Sequence, residues 1–336
     1  MNKAKKILFV SMKHDYGDPA RGLSYDYKNL FLSLQGLNFE VELFDYIHEM
    51  DRVGREQMNA NLLQKIKNGN YVYTFISFFT DQLQFDYVEQ FKKYTISIGI
   101  FYDDTWRREF TMTWAKVLHY FTTTDFFGEE FYSDLGIRNA IMMGYGFSEM
   151  SYSHNDLLKK YDVSFVGAAN ATRRWYVEQV RRAGIQVATF GFGWPNGPVS
   201  QEELVNIFNQ SKINLNLSNS VCTDIRFVLS GFRPLMNYLR SKKSGEQLKG
   251  RHVEISACGG FQLSFYADGI ETLYQPNKEI AVYLSVDDLI NKIKFYLKHE
   301  GARQKIAQAG YQKTIEKFEY KKRLNDLFER IRVSNG

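Results

Sequence analysis

The stretch that begins Lys249-Gly250-Arg251-His252 has the side chains of a phosphate-binding site. Residues 252–258 contain helix formers and no helix breaker. A helix N-terminus offers free backbone N–H groups and the positive end of a dipole, so it attracts anions. The cations would add full charge there, and the glycine would let a phosphate approach the backbone. The pattern predicts a cradle for a nucleotide diphosphate; the alternative is a surface helix with solvated cations at its start.

Two further sets of charged residues extend this prediction. Glu254 falls in the first turn of the same helix, where a carboxylate is stable and could accept hydrogen bonds from a ribose. Arg173 and Arg174 follow a predicted strand, 163–167, that ends in Gly167. An arginine near a strand end and a helix start can bind a phosphate through two N–H groups. We expect one of these two arginines to bind and the other to face solvent.

The predicted elements place these residues at the carboxyl ends of parallel strands. Apolar runs alternate with helix-like segments in residues 1–150, and the alternation restarts after a polar stretch at 144–160. This order predicts an α/β protein with two doubly wound domains, at 1–150 and 160–318. Ligands of open α/β sheets bind beyond the carboxyl ends of the strands, so the loops there are the candidate binding loops.

Helical spacing predicts three other segments. Residues 110–118 are predicted to form a helix, and residues 320–333 a last, highly charged helix. Residues 224–240 have apolar side chains at the period of an amphipathic helix, in which Pro234 is expected to cause a kink.

Composition excludes several classes of protein. The chain has 336 residues, of which 44% are hydrophobic and 24% charged, as in soluble globular proteins of two domains. A net charge of +5 fits an anionic ligand and at most peripheral membrane contact, and it is too weak to predict binding of nucleic acid. Cys222 and Cys258 have no metal-binding spacing and suit the cytoplasm. Neither a membrane-spanning run nor a signal-peptide pattern is present.

Several short blocks occur in a fixed order over about residues 160–320. They are Val163-Ser-Phe-Val-Gly167 before Arg173-Arg174, Gly191-Phe-Gly-Trp194, Ser200-Gln-Glu-Glu-Leu204, Ser211-Lys-Ile-Asn-Leu-Asn216, Leu248-Lys-Gly-Arg251, Glu254-Ile-Ser-Ala-Cys-Gly-Gly260 and Ile306-Ala-Gln-Ala-Gly310. Together they resemble the glycosyltransferase group 1 domain, in the branch that includes spore-maturation CgeB-like proteins. In the first half, Phe101-Tyr-Asp-Asp-Thr-Trp-Arg107 is similar to a turn of the same branch.

The resemblance implies the GT-B architecture, in which two Rossmann-like domains face each other across a cleft and the second binds the donor. It implies that the last helix, 320–333, packs back on the first domain, that the donor is a nucleoside diphosphate sugar, and that no metal or other cofactor is needed. Many retaining relatives carry two glutamates eight positions apart, the first on the donor sugar and the second on the ribose. Glu246 and Glu254 have this spacing, although the residues between them depart from the usual apolar turn.

Other strand ends in the second half would complete a donor site. Trp194 or Phe192 could stack on the base of the donor, or could pack within their own domain. Four polar residues at another strand end could line the sugar pocket or be ordinary turn residues. They are Asn214, Asn216, Ser218 and Asn219.

Three residues of the first half are candidates for the acceptor side. His14 could hydrogen-bond the sugar or help to remove the acceptor's proton, or be an ordinary exposed histidine. Asp103 and Asp104 raise a rival interpretation, because paired carboxylates hold a divalent cation in GT-A glycosyltransferases. They lie in the half without the phosphate-binding features, so one of them is interpreted as a base or orienting group for the acceptor. The alternative is that Asp104 caps the following turn.

The sequence therefore predicts a cytoplasmic glycosyltransferase of polysaccharide or glycoconjugate biosynthesis. It would transfer a sugar, expected to come from a UDP-sugar, to a hydroxyl of a glycan, lipid-linked or protein acceptor, with retention of configuration and without a metal. A nucleotide-sugar epimerase or hydrolase of the same fold is one alternative. A non-catalytic module that binds a nucleotide sugar is the other.

Overall fold

The structure is a computed structural model and describes residues 5–218, 222, 224–240 and 246–335. Asn219, predicted to line a sugar pocket, lies outside the described residues. The chain divides into two compact units, the first formed by Met1–Met150 with Tyr320–Gly336 and the second by Ser151–Glu319. None of the helices in these described ranges is both long and apolar enough to cross a membrane.

All the strands of both units pair in parallel. The strands are β1 Lys5–Ser11, β2 Phe39–Asp45, β3 Tyr71–Ser77, β4 Ile96–Ile100, β5 Tyr120–Thr123, β6 Ala140–Met142, β7 Tyr161–Val166, β8 Ala188–Phe190, β9 Ser211–Asn216, β10 Gln262–Phe265 and β11 Ala281–Tyr283. One sheet has the order β2-β1-β3-β4-β5-β6 and the other the order β11-β10-β9-β7-β8. In each sheet the order reverses beside the first strand, so the prediction of an α/β fold with two doubly wound sheets is confirmed.

Helices connect the strands in both units. They are α1 Leu32–Gln35, α2 Tyr46–Val53, α3 Arg55–Gly69, α4 Phe85–Phe91, α5 Asp104–Ala115, α6 Gly128–Asp134, α7 Ala171–Arg182, α8 Gln201–Gln210, α9 Ile225–Val228, α10 Phe232–Arg240, α11 Gly250–Ala257, α12 Ile270–Leu273, α13 Val286–Lys298, α14 Glu300–Lys317 and α15 Tyr320–Asn335. Parallel strands need such crossovers because a tight hairpin can join only antiparallel neighbours.

The first unit buries both faces of β1. Leu8 and Val10 pack into one core cluster, whereas Ile7 and Phe9 pack into another on the opposite face. This alternation follows from the two-residue period of a strand, and it explains why β1 is apolar throughout. Helix α15 supplies four side chains at helical spacing to the second of these clusters. They are Tyr320, Leu324, Leu327 and Ile331, all at most 2% exposed.

The second unit has one main core. Val163, Phe165, Ile213 and Leu215 of the central strands are buried against α7 and α13. The apolar face of α7 consists of Tyr176, Val177 and Val180, a spacing of one, three and four residues that only a helix brings to one side. The central strands are therefore held rigidly, and the loops at their carboxyl ends are held with them.

Two predicted helices differ from the structure. Helix α5 begins at Asp104, six residues before the predicted start at residue 110, because Asp103 takes a left-handed conformation (φ 58°) that lets the helix start at once. The predicted helix at 224–240 is interrupted between α9 and α10, and not kinked at Pro234. Pro234 lies in the first turn of α10, where a missing N–H breaks no helical hydrogen bond.

Candidate functional site

The start of α11 lies beyond the carboxyl end of β9, beside β10. The helix begins at Gly250, two residues before the predicted start, with Lys249 in extended conformation before it. The His252 ring explains this early start. Its Nδ1 lies 3.0 Å from the Lys249 amide nitrogen, and its Nε2 lies 3.1 Å from Ser264 Oγ on β10. Burial lowers the pKa of His252 to about 4, so the ring is neutral.

This position changes the role of His252. The imidazole is completely buried and fixes the first turn of the helix to the sheet, so the side chain itself does not face a ligand. The donors that the helix start can offer are the N–H groups of Gly250 and Arg251, which precede the first intrahelical hydrogen bonds. The helix start predicted near residue 250 is present, but the His252 side chain lies inside the unit.

Glu254 lies in the second turn of α11 and not in the first as predicted, because the helix begins at Gly250, and its side chain belongs to a buried ionic pair. Its side chain is 3% exposed, and its Oε2 is 2.8 Å from Arg251 Nη1. Its other oxygen, Oε1, accepts a hydrogen bond from the hydroxyl of Tyr152. The Arg251 guanidinium also lies 5.2 Å from the centre of the Phe208 ring. Arg251 and Glu254 are therefore both fixed before any ligand arrives.

Arg173 and Arg174, side by side in sequence, have different surroundings. Arg173 joins two strand ends, since its Nε donates to Leu217 O (2.9 Å) and its Nη1 to Ala168 O (2.8 Å). Burial lowers the pKa of Arg173, the charge of Arg251 lowers it further, and Glu246 opposes this change. Arg173, Arg251 and Glu246 thus lie within electrostatic range of one another.

The exposed Arg174 donates instead to Gly193 O and lies over the Trp194 ring, 5.3 Å from its centre. The Trp194 indole is 7% exposed and donates from Nε1 to Gly167 O (2.9 Å). Trp194 therefore packs within its own unit, which was the alternative to stacking on a base. Phe192 is half-buried in the same loop and stays the aromatic candidate for that contact.

Buried polar atoms without a partner gather at this edge of the second sheet. Asn216 Nδ2 at the end of β9, Ser218 Oγ just after it, Tyr283 Oη at the end of β11 and Gln247 Oε1 before α11 have no hydrogen-bond partner among the described residues. An unpaired buried polar group costs about 1–3 kcal/mol, so such groups rarely collect without a reason. Together with Arg173 and Arg251 they form what we call the donor edge, a place suited to a polar, anionic ligand.

The acceptor-side candidates all belong to the first unit. His14 follows β1, is half-buried and pairs with Leu23 as an isolated antiparallel bridge. Asp103 is half-buried at the end of β4, and Asp104 is 1% exposed. Asp104 Oδ2 accepts from Thr123 Oγ1 and from Tyr132 OH (3.2 Å), while its Oδ1 has no partner within the described residues.

The buried Asp104 should make stability depend on pH. Burial raises its pKa from 3.8 to about 6, so the folded state holds the proton more tightly than the unfolded chain does. The stability supplied by the neutral acid is full below about pH 4 and is lost as the pH rises through 6, a change of about 3 kcal/mol. We predict that Asp104→Asn flattens the decline in thermal midpoint between pH 4 and pH 7. The exposed Asp162, changed to Asn, is the control. Equal slopes in wild type and Asp104→Asn would contradict the prediction.

Three polar residues of the structure were not predicted. Asp26 is buried at the carboxyl edge of the first sheet, where it accepts from Ser11 Oγ (3.2 Å), from Tyr102 OH (2.6 Å) and from Ser77 Oγ. Ser11 and Ser77 end β1 and β3, and such polar strand ends are a signal that the sequence does contain. The residues next to Tyr152 and Tyr283 in sequence do not indicate a role for either tyrosine. The surroundings of both side chains are formed by segments far away in sequence.

Comparison with known proteins gives a family model for part of the chain and solved structures of similar fold. Residues 173–329 match the family model described as glycosyl transferase-like. No curated protein matches the sequence. In the part of the chain that the structure describes, no three His, Cys, Asp or Glu side chains are grouped so that they could hold a metal ion.

Solved structures similar to this chain share its fold at low sequence identity. Sucrose-phosphate synthase from Thermosynechococcus elongatus has 11% identity and a TM-score of 0.63 over 98% of this chain and 100% of that one. A glycosyltransferase from Rickettsia africae has 10% identity and a TM-score of 0.65 over 97% of each chain. HepE from Anabaena, in complex with UDP and glucose, has 11% identity and a TM-score of 0.62 over 98% and 100%. The fold of this chain is therefore GT-B.

Proposed function

We propose that this chain, whose residues 173–329 match a glycosyl transferase-like domain, transfers a sugar from a nucleoside diphosphate sugar to an acceptor hydroxyl. We expect a UDP-sugar, since the similar HepE structure contains UDP and glucose. The branch with CgeB-like proteins, the cytoplasmic location and a glycan, lipid-linked or protein acceptor are part of the same proposal. Two cysteines that form no disulfide fit a reducing compartment.

The donor edge is the observation that carries the proposal. It combines two fixed arginines, the first N–H groups of α11 and four buried polar atoms that lack partners among the described residues. A diphosphate would meet the positive charges, and a sugar or ribose would supply the hydroxyl groups that the polar atoms can bind. A site with this composition binds an anionic ligand that also carries hydroxyls, which is the chemistry of a nucleotide sugar.

The reaction itself would need little from protein bases. The bond from the sugar's anomeric carbon to the β-phosphate oxygen breaks, and the acceptor oxygen forms the new bond on the same face. The acceptor's proton passes to the leaving phosphate oxygen, so configuration is retained and the charges balance. Arg173, Arg251 and the start of α11 would stabilise the negative charge that develops on the diphosphate, the role a metal has in other transferases.

On the acceptor side, His14 or Asp103 would orient the attacking hydroxyl. Asp104 is so buried that it would act through its neighbours and not touch the acceptor directly. Glu246 is half-buried next to Arg173 and would contact the donor sugar. These assignments follow the predicted roles, and each can be tested by substitution once the donor is identified.

A thermal-shift screen of the full chain against UDP, GDP, CDP, dTDP and their sugars tests the donor. A ligand at a hundred times its Kd stabilises the folded state by about 2.7 kcal/mol, which raises the midpoint by about 5 °C. We expect UDP and a UDP-sugar to produce this shift. No shift with any of these nucleotides would refute the proposal.

Product analysis then separates transfer from the alternatives. Free UDP together with a glycosylated acceptor indicates transfer. Free sugar and nucleotide released without an acceptor would instead indicate a hydrolase, a changed sugar still attached to UDP would indicate an epimerase, and binding without turnover would indicate a regulatory module.

A further inference from the structure

We propose that Tyr152 is a positioning residue for the donor: its hydroxyl holds the Glu254 carboxylate in the orientation in which it accepts hydrogen bonds from the ribose. This inference rests on the proposed function, because it concerns the same donor edge. Tyr152 lies 102 residues before Glu254 in sequence, at the beginning of the second unit, and is 3% exposed.

The segment around Tyr152 is fixed on both sides of the ring. Gln201 Nε2 of α8 donates to Ser151 O (2.7 Å), and Asn209 Nδ2 at the other end of α8 donates to Ser153 O (3.0 Å). Asn209 Oδ1 accepts from the backbone N–H of Asn155 (2.7 Å). An extended segment with anchors on either side of one residue has little freedom to move that residue. The Tyr152 hydroxyl is therefore presented to Glu254 at a constant position.

The carboxylate has the capacity for a ligand as well as for its protein partners. An ionised carboxylate has about four acceptor positions on its two oxygens. Tyr152 donates to Oε1 and Arg251 approaches Oε2, and a carboxylate of this capacity can also accept from ribose hydroxyls. Burial raises the pKa of Tyr152 well above 10, so the hydroxyl stays protonated and acts as a donor at any working pH.

Removing the hydroxyl would affect the ribose more than the rest of the nucleotide. In Tyr152→Phe, Glu254 Oε1 loses the hydrogen bond from Tyr152, and the carboxylate is held less firmly in its orientation. Its hydrogen bonds to the ribose then weaken, whereas the contacts of the diphosphate with Arg173 and the start of α11 do not change. The effect should therefore appear in the preference for UDP over 2′,3′-dideoxy-UDP.

Calorimetric titration of both nucleotides into wild type and Tyr152→Phe tests this. For wild type we expect UDP to bind at least tenfold more tightly than the dideoxy compound, and Tyr152→Phe to lose most of that preference, about tenfold. Tyr274→Phe is the matched control, because it removes a buried tyrosine hydroxyl of the same unit whose bond to Thr314 Oγ1 (2.6 Å) involves neither Glu254 nor Arg251. Its preference should stay that of wild type.

The outcomes separate the inference from the proposed function. If Tyr152→Phe weakens both nucleotides by the same factor, Tyr152 is structural and the inference is wrong, although donor binding stands. If wild type binds UDP and the dideoxy compound equally, Glu254 does not contact the ribose and the inference is again wrong. If wild type binds no nucleotide, the proposed function fails first. Should Tyr152→Phe not fold, Gln201→Ala releases one anchor of the segment, so that Tyr152 keeps its hydroxyl but is held less firmly. A partial loss of preference in that variant supports the inference, and an unchanged preference contradicts it.

Discussion

Replacing Arg251 with alanine is expected to reduce sugar transfer by about 10²–10³-fold, the usual cost of removing one fixed donor from a transition-state charge. Arg251 lies in the first turn of α11, and its guanidinium is already held by Glu254 and Phe208. Both the charge and its position are lost in the variant. The measurement is initial rate with the donor identified by thermal shift, per mole of folded protein.

The controls separate chemistry from folding. Arg251→Ala removes the positive charge that pairs with the buried Glu254, which is itself destabilising, so Arg251→Lys is made in parallel to keep a charge there. Arg226→Ala removes an exposed arginine paired with Asp224 and Asp287, and should leave the rate unchanged. If Asp104→Ala abolishes turnover and Arg251→Ala does not, the diphosphate charge is met elsewhere and the site is wrongly assigned.

Replacing Gly191 with alanine is expected to destabilise the second unit by about 3 kcal/mol or more. Gly191 has φ 117°, a backbone conformation that residues other than glycine rarely adopt. A Cβ atom there would lie 2.5 Å from the carbonyl oxygen of Gly167, which also accepts the Trp194 indole. Neither the strand end nor the buried indole can move easily, so the loop after β8 must shift.

Gly197→Ala is the matched control for this prediction. Gly197 has φ 67° in the same loop, but a Cβ atom at this position would have no neighbour within 4 Å, so only the backbone penalty of about 1–2 kcal/mol remains. Calorimetric unfolding of both variants gives the difference, and UDP affinity reports any displacement of Phe192. A Gly191 variant as stable as the Gly197 variant would show that the close approach to Gly167 does not matter.

Most of the fold could be predicted because buried parallel strands are recognisable in the sequence as short apolar runs. Strand β1, which is buried on both faces, contains a continuous apolar run at residues 7–10, and helices such as α7 have a clear apolar face. The elements that the sequence did not predict are short or polar. Strand β5, Tyr120–Thr123, and strand β11, Ala281–Tyr283, are too short to show a period, and their place in the sheet depends on their neighbours.

The candidate site was predictable only where its residues are close together in sequence. The cations and the carboxylate of the 249–254 stretch could be proposed together because they lie within six consecutive residues at the start of one helix. The sequence near His252 and Trp194 does not show that these side chains are buried. His252 hydrogen-bonds to Ser264, and Trp194 donates to the carbonyl oxygen of Gly167. Tyr152 was not predicted for the same reason, since it meets its partner Glu254 only in the folded chain.

The first unit is built from two segments that lie far apart in sequence, because helix α15 completes it. The sheet face formed by Ile7 and Phe9 is covered by Leu324 and Leu327, which the ribosome adds more than 300 residues later. The second unit lies wholly between these segments and can therefore fold while the first is still missing a helix. During translation the nascent chain therefore carries an open apolar face until α15 has been made, so the yield of native protein in a cell should depend on holdase chaperones that shield this face until then.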